Sequence, residues 1–114
     1  MRMSYRAAGA ALLALMLGTV QAADESVAAG KELAFSRAKG NCLACHYIDG
    51  GASPGNIAPP LMAMSVRFPE RAKLRAQIWD ATVANPNTIM PPFGKHRILT
   101  EREIDQIVDF IMTL

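Results

Sequence analysis

The sequence GNCLACHYIDGG, from Gly40 to Gly51, holds both cysteines of the chain and one of its two histidines. Cys42 and Cys45 are separated by two residues, and His46 follows the second cysteine directly. On one turn of helix, positions i and i+3 face the same way, so the two sulfur atoms can reach one common ligand. The segment therefore places three ligand-type side chains within five consecutive residues.

The pattern Cys-x-x-Cys-His is typical of the attachment site of a c-type haem. Each sulfur then binds one vinyl group of the porphyrin, and His46 becomes the proximal iron ligand. Two alternatives use the same residues. A dithiol redox site normally follows a strand in a thioredoxin-like fold, and this sequence predicts no strand. A zinc site formed by Cys42, Cys45, His46 and His96 lacks finger-like spacing, because about fifty residues separate the histidines.

Residues 1–22 predict a secretory signal peptide. Two arginines precede an apolar run of about 14 residues, and the small-x-small pattern at residues 20–22 suits cleavage before Ala23. The run is shorter than the roughly twenty residues that a bilayer span needs. We therefore expect a periplasmic domain at 23–114, with no membrane span in the mature chain. Thiols in that compartment do not normally remain free, which agrees with haem attachment.

The charge of the mature domain is balanced. Removing residues 1–22 leaves ten basic and ten acidic residues, so the formal net charge falls from +2 to 0. No run of lysine and arginine marks a nucleic-acid surface, so no nucleic-acid partner is expected. A basic cluster at 67–75 and an acidic cluster at 101–109 are interpreted as solvated helix faces. About ninety residues make one domain with a thin core, which a covalently bound haem would complete.

The hydrophobic pattern predicts an all-α fold with about three main helices and two long loops that contain proline. The first helix is expected at 24–39, with Ser26 as its N-cap. The second is expected from near Pro69 to Asn85. The loop at 49–60 is unusually long for so small a domain unless it wraps a ligand.

The third helix is the best marked. Thr100 and Glu103 form a capping box of the type T-x-x-E. Apolar residues follow at helical spacing and predict one buried face: Ile104, Ile107, Val108, Ile111 and Leu114.

The sixth iron ligand is expected from a methionine or the second histidine, since thioether and imidazole are the common neutral ligands. The candidates are Met62, Met64, Met90, Met112 and His96. Met90 is preferred because two prolines follow it and stiffen its loop. Met112 suits the core of the last helix, Met62 and Met64 suit the lining of the haem loop, and His96 suits the surface. Histidine and methionine together fill both axial positions, which favours electron transfer over catalysis at the iron.

The chain resembles the class I c-type cytochromes and, more closely, the SoxX family of small cytochrome subunits in SoxAX complexes of bacterial sulfur oxidation. The resemblance covers about residues 30–114. Its motifs are Gly40–His46, Pro54–Leu61, Asn85-Pro86, Met90–His96 and Ile98–Ile104. The motif Gly40–His46 alone indicates only a c-type cytochrome. The motif Met90–His96, followed by the capped last helix, narrows the resemblance to SoxX.

The resemblance implies residue roles. Cys42 and Cys45 would anchor a single haem c, with His46 as proximal and Met90 as distal ligand. The segment Ala58–Leu61 corresponds to a Gly-Pro-x-Leu segment beneath the haem, which places Leu61 in the haem-binding set. In that segment the Pro59 carbonyl would accept the second N–H of the proximal histidine.

A contact between the first and last helices is also implied, with Phe35 and Phe110 as packing residues and Gly30 at the same contact.

The resemblance also implies a function. In SoxAX complexes a larger, SoxA-type subunit joins thiosulfate oxidatively to a cysteine of a carrier protein. The SoxX-type subunit takes the electrons and passes them to another cytochrome. This chain would then be the electron-transfer subunit of a periplasmic heterodimer, with the catalytic centre on the partner and no catalytic residue of its own. The alternatives are a freely diffusing class I cytochrome that serves another periplasmic redox enzyme, and a haem enzyme or gas sensor with an open sixth position.

Overall fold

The structure is a computed structural model that describes the backbone of residues 8–114 and the side chains from residue 18 onward. The predicted signal peptide therefore lies in part outside the described residues, and its cleavage before Ala23 stays a prediction. None of the helices in the described part combines the length and apolar character that crossing a bilayer requires.

The described residues fold into helices and loops and contain no strand, which confirms the all-α prediction. Three long helices are present, and two short helical turns accompany them. In chain order the elements are α1 (Ala8–Phe35), a 3-10 turn (Cys42–Ala44), α2 (Met64–Arg67), α3 (Arg71–Trp79) and α4 (Glu101–Ile111).

The predicted bounds of the first helix are wrong at both ends. Helix α1 runs through the predicted cleavage position and ends at Phe35, because Gly40 N–H turns back to donate to Leu33 O at 3.0 Å. Ser26 lies inside α1 and is not an N-cap. Its hydroxyl donates instead to Asp109 Oδ2 on α4 at 2.6 Å, so this serine links two helices.

The second predicted helix is shorter than expected. Helix α3 ends at Trp79, and Asp80 takes an extended conformation with φ −154°. Ala81 continues the helical spacing of the apolar residues Leu74 and Ile78 in the sequence, but in the structure it is buried in the turn that follows α3.

Helix α4 agrees with its prediction. The Thr100 hydroxyl accepts from Glu103 N–H at 3.2 Å, and the Glu103 carboxylate accepts from Thr100 N–H at 2.9 Å. The first four predicted apolar positions are at most 2% exposed and form the centre of the core, which also includes Ala34 and Ile48: Ile104, Ile107, Val108 and Ile111.

Helices α1 and α4 cross in close contact. A Cβ atom at Gly30 would lie 1.9 Å from Gln106 O, so only glycine permits this approach. The rings of Phe35 and Phe110 meet edge to face, with centroids 5.9 Å apart and planes at 86°. This confirms the packing that the resemblance implied.

The basic and acidic clusters are not simply solvated. Arg71 on α3 donates to Asp109 Oδ1 at 2.7 Å, and Arg75 donates to Asp105 Oδ1 at 2.7 Å. From the sequence alone, these charges were expected on two separate helix faces exposed to solvent. In the structure, helix packing brings the two faces into contact. The pairs tie α3 to α4 along one side of the core.

Candidate haem-binding site

One cavity of about 560 Å³ lies between the 3-10 turn, the loop before α2, helices α3 and α4, and the loop that carries Met90. Its volume is in the range of small-molecule and cofactor sites. Cys42, Cys45, His46 and Met90, which are up to 48 residues apart in the chain, all line it. Leu61 and Pro59 line the same cavity. Folding therefore brings the predicted cofactor-binding residues together.

The cysteine segment is a tight turn. Asn41 begins it in a left-handed conformation with φ 50°, and Cys42 O accepts from His46 N–H at 2.9 Å. A Cβ atom at Gly40 would lie 3.2 Å from Cys42 Sγ. A Cβ atom at Gly55 would lie 2.1 Å from Ala44 O. The long loop therefore packs directly against the attachment segment.

His46 is oriented by the same loop. Its Nδ1 lies 2.6 Å from Pro59 O, and since a carbonyl only accepts, Nδ1 carries the proton. Nε2 is then the unprotonated nitrogen that can bind a metal. Two backbone hydrogen bonds hold the loop in place: Ala58 N–H donates to Cys45 O at 3.0 Å, and Leu61 N–H donates to Tyr47 O at 2.9 Å.

The candidates for the sixth iron ligand lie in different parts of the structure. Met90 is half-buried, and Met64 is 2% exposed, and both line the cavity. Met64 Sδ accepts from the Arg67 guanidinium at 3.3 Å, so a hydrogen bond already occupies this sulfur. Met62 is 54% exposed and, like Met112 and His96, is not among the cavity-lining residues. Geometry therefore favours Met90, whose ligand role stays a prediction.

The dithiol and zinc alternatives do not fit. Cys42 and Cys45 form no disulfide, and burial raises the pKa of the Cys42 thiol to about 11, which disfavours the thiolate that a redox dithiol needs. Among the side chains that the structure describes, from residue 18 onward, no group of three or more His, Cys, Asp and Glu is arranged to hold a metal ion. His96 is not among the residues that line the cavity, whereas Cys42, Cys45 and His46 are.

The charged groups that line the cavity suit a haem. They are Arg37, Lys39 and Arg67, and no aspartate or glutamate is among the lining residues. An apolar cavity with cations at its edge fits the porphyrin plane and its two carboxylates. Sequence reasoning missed Arg67, which it assigned to a solvated cluster. The Arg67 guanidinium donates to Pro60 O at 2.7 Å, a contact that no local pattern signals.

Comparisons with known proteins agree with this site. The family model for cytochrome c matches residues 27–114, so the chain belongs to the cytochrome c family. It is accordingly an electron-transfer domain whose cofactor is covalently bound haem c. The crystal structure of SoxXA from P. pantotrophus is similar with a TM-score of 0.67 and 30% sequence identity, over 75% of this chain and 78% of that chain. Together these findings support a SoxX-type cytochrome. No curated protein matches the chain at a significant level.

Proposed function

We propose that the mature chain, residues 23–114, is the periplasmic electron-transfer subunit of a SoxAX-like complex. In that complex a SoxA-type cytochrome subunit couples thiosulfate oxidatively to a cysteine of a carrier protein. This chain receives the electrons and passes them to a downstream cytochrome. The observation that carries the proposal is the convergence of Cys42, Cys45, His46 and Met90 on one cavity in a chain that is similar to SoxXA.

The residues have distinct roles in this proposal. Cys42 and Cys45 would hold the haem covalently, and His46 and Met90 would bind its iron. Haem c held in this way would supply one-electron exchange and would not readily bind oxygen. The Pro59 carbonyl keeps His46 in the tautomer that presents Nε2 to the iron, which makes the imidazole a stronger donor.

Apolar side chains at the cavity mouth support a protein partner. Ile57 is 67% exposed and Ile89 is 75% exposed, and both line the cavity. Arg37 and Lys39 lie at the same cavity, so the mouth combines apolar and cationic groups. Exposed apolar groups that surround a buried cofactor are the kind of surface that a partner subunit covers.

The test is co-purification from the periplasm of the native host. A larger cytochrome at stoichiometric ratio, together with reduction of this haem by thiosulfate and the carrier protein, is the expected result. A lone monomer that is indifferent to thiosulfate would favour the alternative, a freely diffusing class I cytochrome. The N-terminus of the exported protein is expected at Ala23.

A matched pair of variants locates the partner surface. Ile89→Asp places a charge at the cavity mouth and is expected to abolish co-purification. Val83→Asp makes the same change at a side chain that is 83% exposed and does not line the cavity, and co-purification should persist. Equal loss of the partner in both variants would contradict the placement of the interface at the cavity mouth.

A further inference from the structure

Asp80 is the one buried polar or charged residue among the residues whose side chains are described, and it is 8% exposed. Its Oδ1 accepts from Thr82 N–H at 3.0 Å and from the Thr82 hydroxyl, and its Oδ2 lies 3.3 Å from Lys95 Nζ. The hydrogen bond from Thr82 and the nearby Lys95 ammonium lower the pKa of the Asp80 carboxyl, so it is ionised at neutral pH. Asp80 thus connects the end of α3 to the loop that carries Met90.

Backbone contacts join the same two elements. Trp79 O, on the last residue of α3, accepts from Gly94 N–H at 3.1 Å and from Lys95 N–H at 3.2 Å. A Cβ atom at Gly94 would lie 2.1 Å from the Trp79 ring, so glycine allows this close contact. Trp79, Asp80, Gly94 and Lys95 therefore form one junction, which we call the α3 clamp.

The loop between Met90 and the α3 clamp is tightly folded. Phe93 N–H donates to Pro91 O at 3.0 Å, and Phe93 O accepts from the N–H groups of Ile98 and Leu99 at 3.0 and 3.1 Å. The Phe93 side chain is 8% exposed and belongs to the core.

On the N-terminal side of Met90, its backbone N–H donates to the Thr88 hydroxyl at 3.2 Å. Met90 is therefore held between a local turn on its N-terminal side and a compact segment that the α3 clamp attaches to α3.

We propose that Asp80 is a positioning residue for the distal ligand: its ion pair with Lys95 holds the segment at 91–95 against α3 and thereby limits how often Met90 leaves the iron. The inference rests on the proposed ligation of the iron by Met90. A merely structural role would instead make Asp80 contribute to the stability of the whole fold, with no separate effect on Met90.

Imidazole binding to the ferric holoprotein distinguishes these roles, since external imidazole reaches the iron only after Met90 has left it. Asp80→Asn keeps an acceptor for Thr82 but loses the ion pair. Lys95→Gln removes the partner, whose side chain is 59% exposed, so folding is little affected. Loss of one partly exposed pair is worth up to about 1 kcal/mol, so each variant should bind imidazole faster, by up to about fivefold.

The controls separate positioning from charge and from general stability. Glu70→Gln breaks the Glu70–Lys73 pair of 2.7 Å at the other end of α3 and should leave the rate unchanged. Asp80→Asn and Lys95→Gln change the charge in opposite directions, so a field effect at the iron would move their rates in opposite directions. The double variant should bind no faster than either single variant, because both remove one interaction.

Wild-type rates in both variants would overturn the inference, as would a fall in the free energy of unfolding with no change in the imidazole rate. Absence of the near-infrared methionine-to-iron band from the wild-type protein would overturn it too, because Met90 would not be the ligand. None of these three results affects co-purification with a SoxA-type subunit, so failure of the proposed function is recognised separately.

Discussion

His46 Nδ1 and the carbonyl oxygen of Pro59 lie 2.6 Å apart, although the two residues are thirteen positions apart in the chain. The contact orients the imidazole and leaves Nε2 for the iron. Backbone hydrogen bonds fix the proximal side, because Ala58 and Leu61 donate back to the residues that flank His46. Met90, by contrast, belongs to a separate loop, so the two proposed axial ligands are held by independent parts of the fold.

Met90→Ala is expected to keep the attached haem but to lower its reduction potential and open the sixth position. Thioether ligation favours ferrous iron, and its loss should lower the potential by more than about 60 mV, a tenfold change in a one-electron equilibrium. Redox titration measures the shift, and rapid carbon monoxide binding to the reduced variant measures the opening. A wild-type protein that binds carbon monoxide equally fast would indicate the open-site alternative.

The controls for that prediction are two other methionines. Met64→Leu conserves volume in the core, and Met62→Leu changes an exposed side chain, so both should leave the potential near the wild-type value. An unchanged potential in Met90→Ala would point to Met62, Met64 or His96 as the ligand.

Cys42→Ala is expected to impair covalent haem attachment, because a single thioether to Cys45 remains. The measurement is haem retained per polypeptide after denaturing electrophoresis of the periplasmic protein. The double variant with Cys45→Ala should retain none. Full retention of haem in the double variant would show that attachment does not use these sulfurs.

Gly30→Ala should destabilise the protein by at least about 2 kcal/mol, because the added methyl group would meet backbone that cannot rotate away. The clash is with Gln106 O on α4 at 1.9 Å. Chemical denaturation of the holoprotein measures the loss. Ala28→Ser, on the exposed face of the same helix, should change stability by no more than about 0.5 kcal/mol. Equal effects of the two substitutions would mean that α1 and α4 do not cross at Gly30.

Glu103→Gln is expected to weaken the acid sensitivity of the fold. The hydrogen bond that Glu103 accepts from Lys39, followed by the one that it accepts from Thr100 N–H, lowers the pKa of the Glu103 carboxyl below its ordinary value of 4.5. Its folded pKa is depressed, so its contribution is present above about pH 4.5 and is lost as the pH falls through the folded value. Glutamine keeps the capping box, so this variant removes the charge alone.

The measurement is urea unfolding of the wild type and of Glu103→Gln at pH 7 and pH 3. The wild type should be the more stable at pH 7, and the difference should shrink at pH 3. Lys39→Gln removes the main partner and should reduce the same pH dependence. A difference that is equal at both pH values would rule out this carboxylate as a source of acid sensitivity.

Local sequence patterns were sufficient to predict several features of the structure. The Cys42-x-x-Cys45-His46 segment and the start of α4 depend on neighbouring residues, so sequence reasoning found both. The predicted apolar face extended to Leu114, whereas α4 ends at Ile111. Family resemblance, and not local chemistry, directed attention to Pro59. The end of α3 was misplaced because helical spacing continues to Ala81, whereas Asp80 leaves the helix to pair with Thr82 and Lys95.

By itself the sequence determined the haem-attachment segment, the all-α class and the buried face of α4, because each depends on the chemistry and spacing of residues close together in the chain. Tertiary structure alone decided that Ser26 bonds to Asp109, 83 residues away, and that Met90 and His46 line one cavity. It also decided how the Met90 loop is attached to α3. Such contacts form when packed helices bring distant segments together, and the local hydrophobic periodicity of the sequence does not specify which residues will meet.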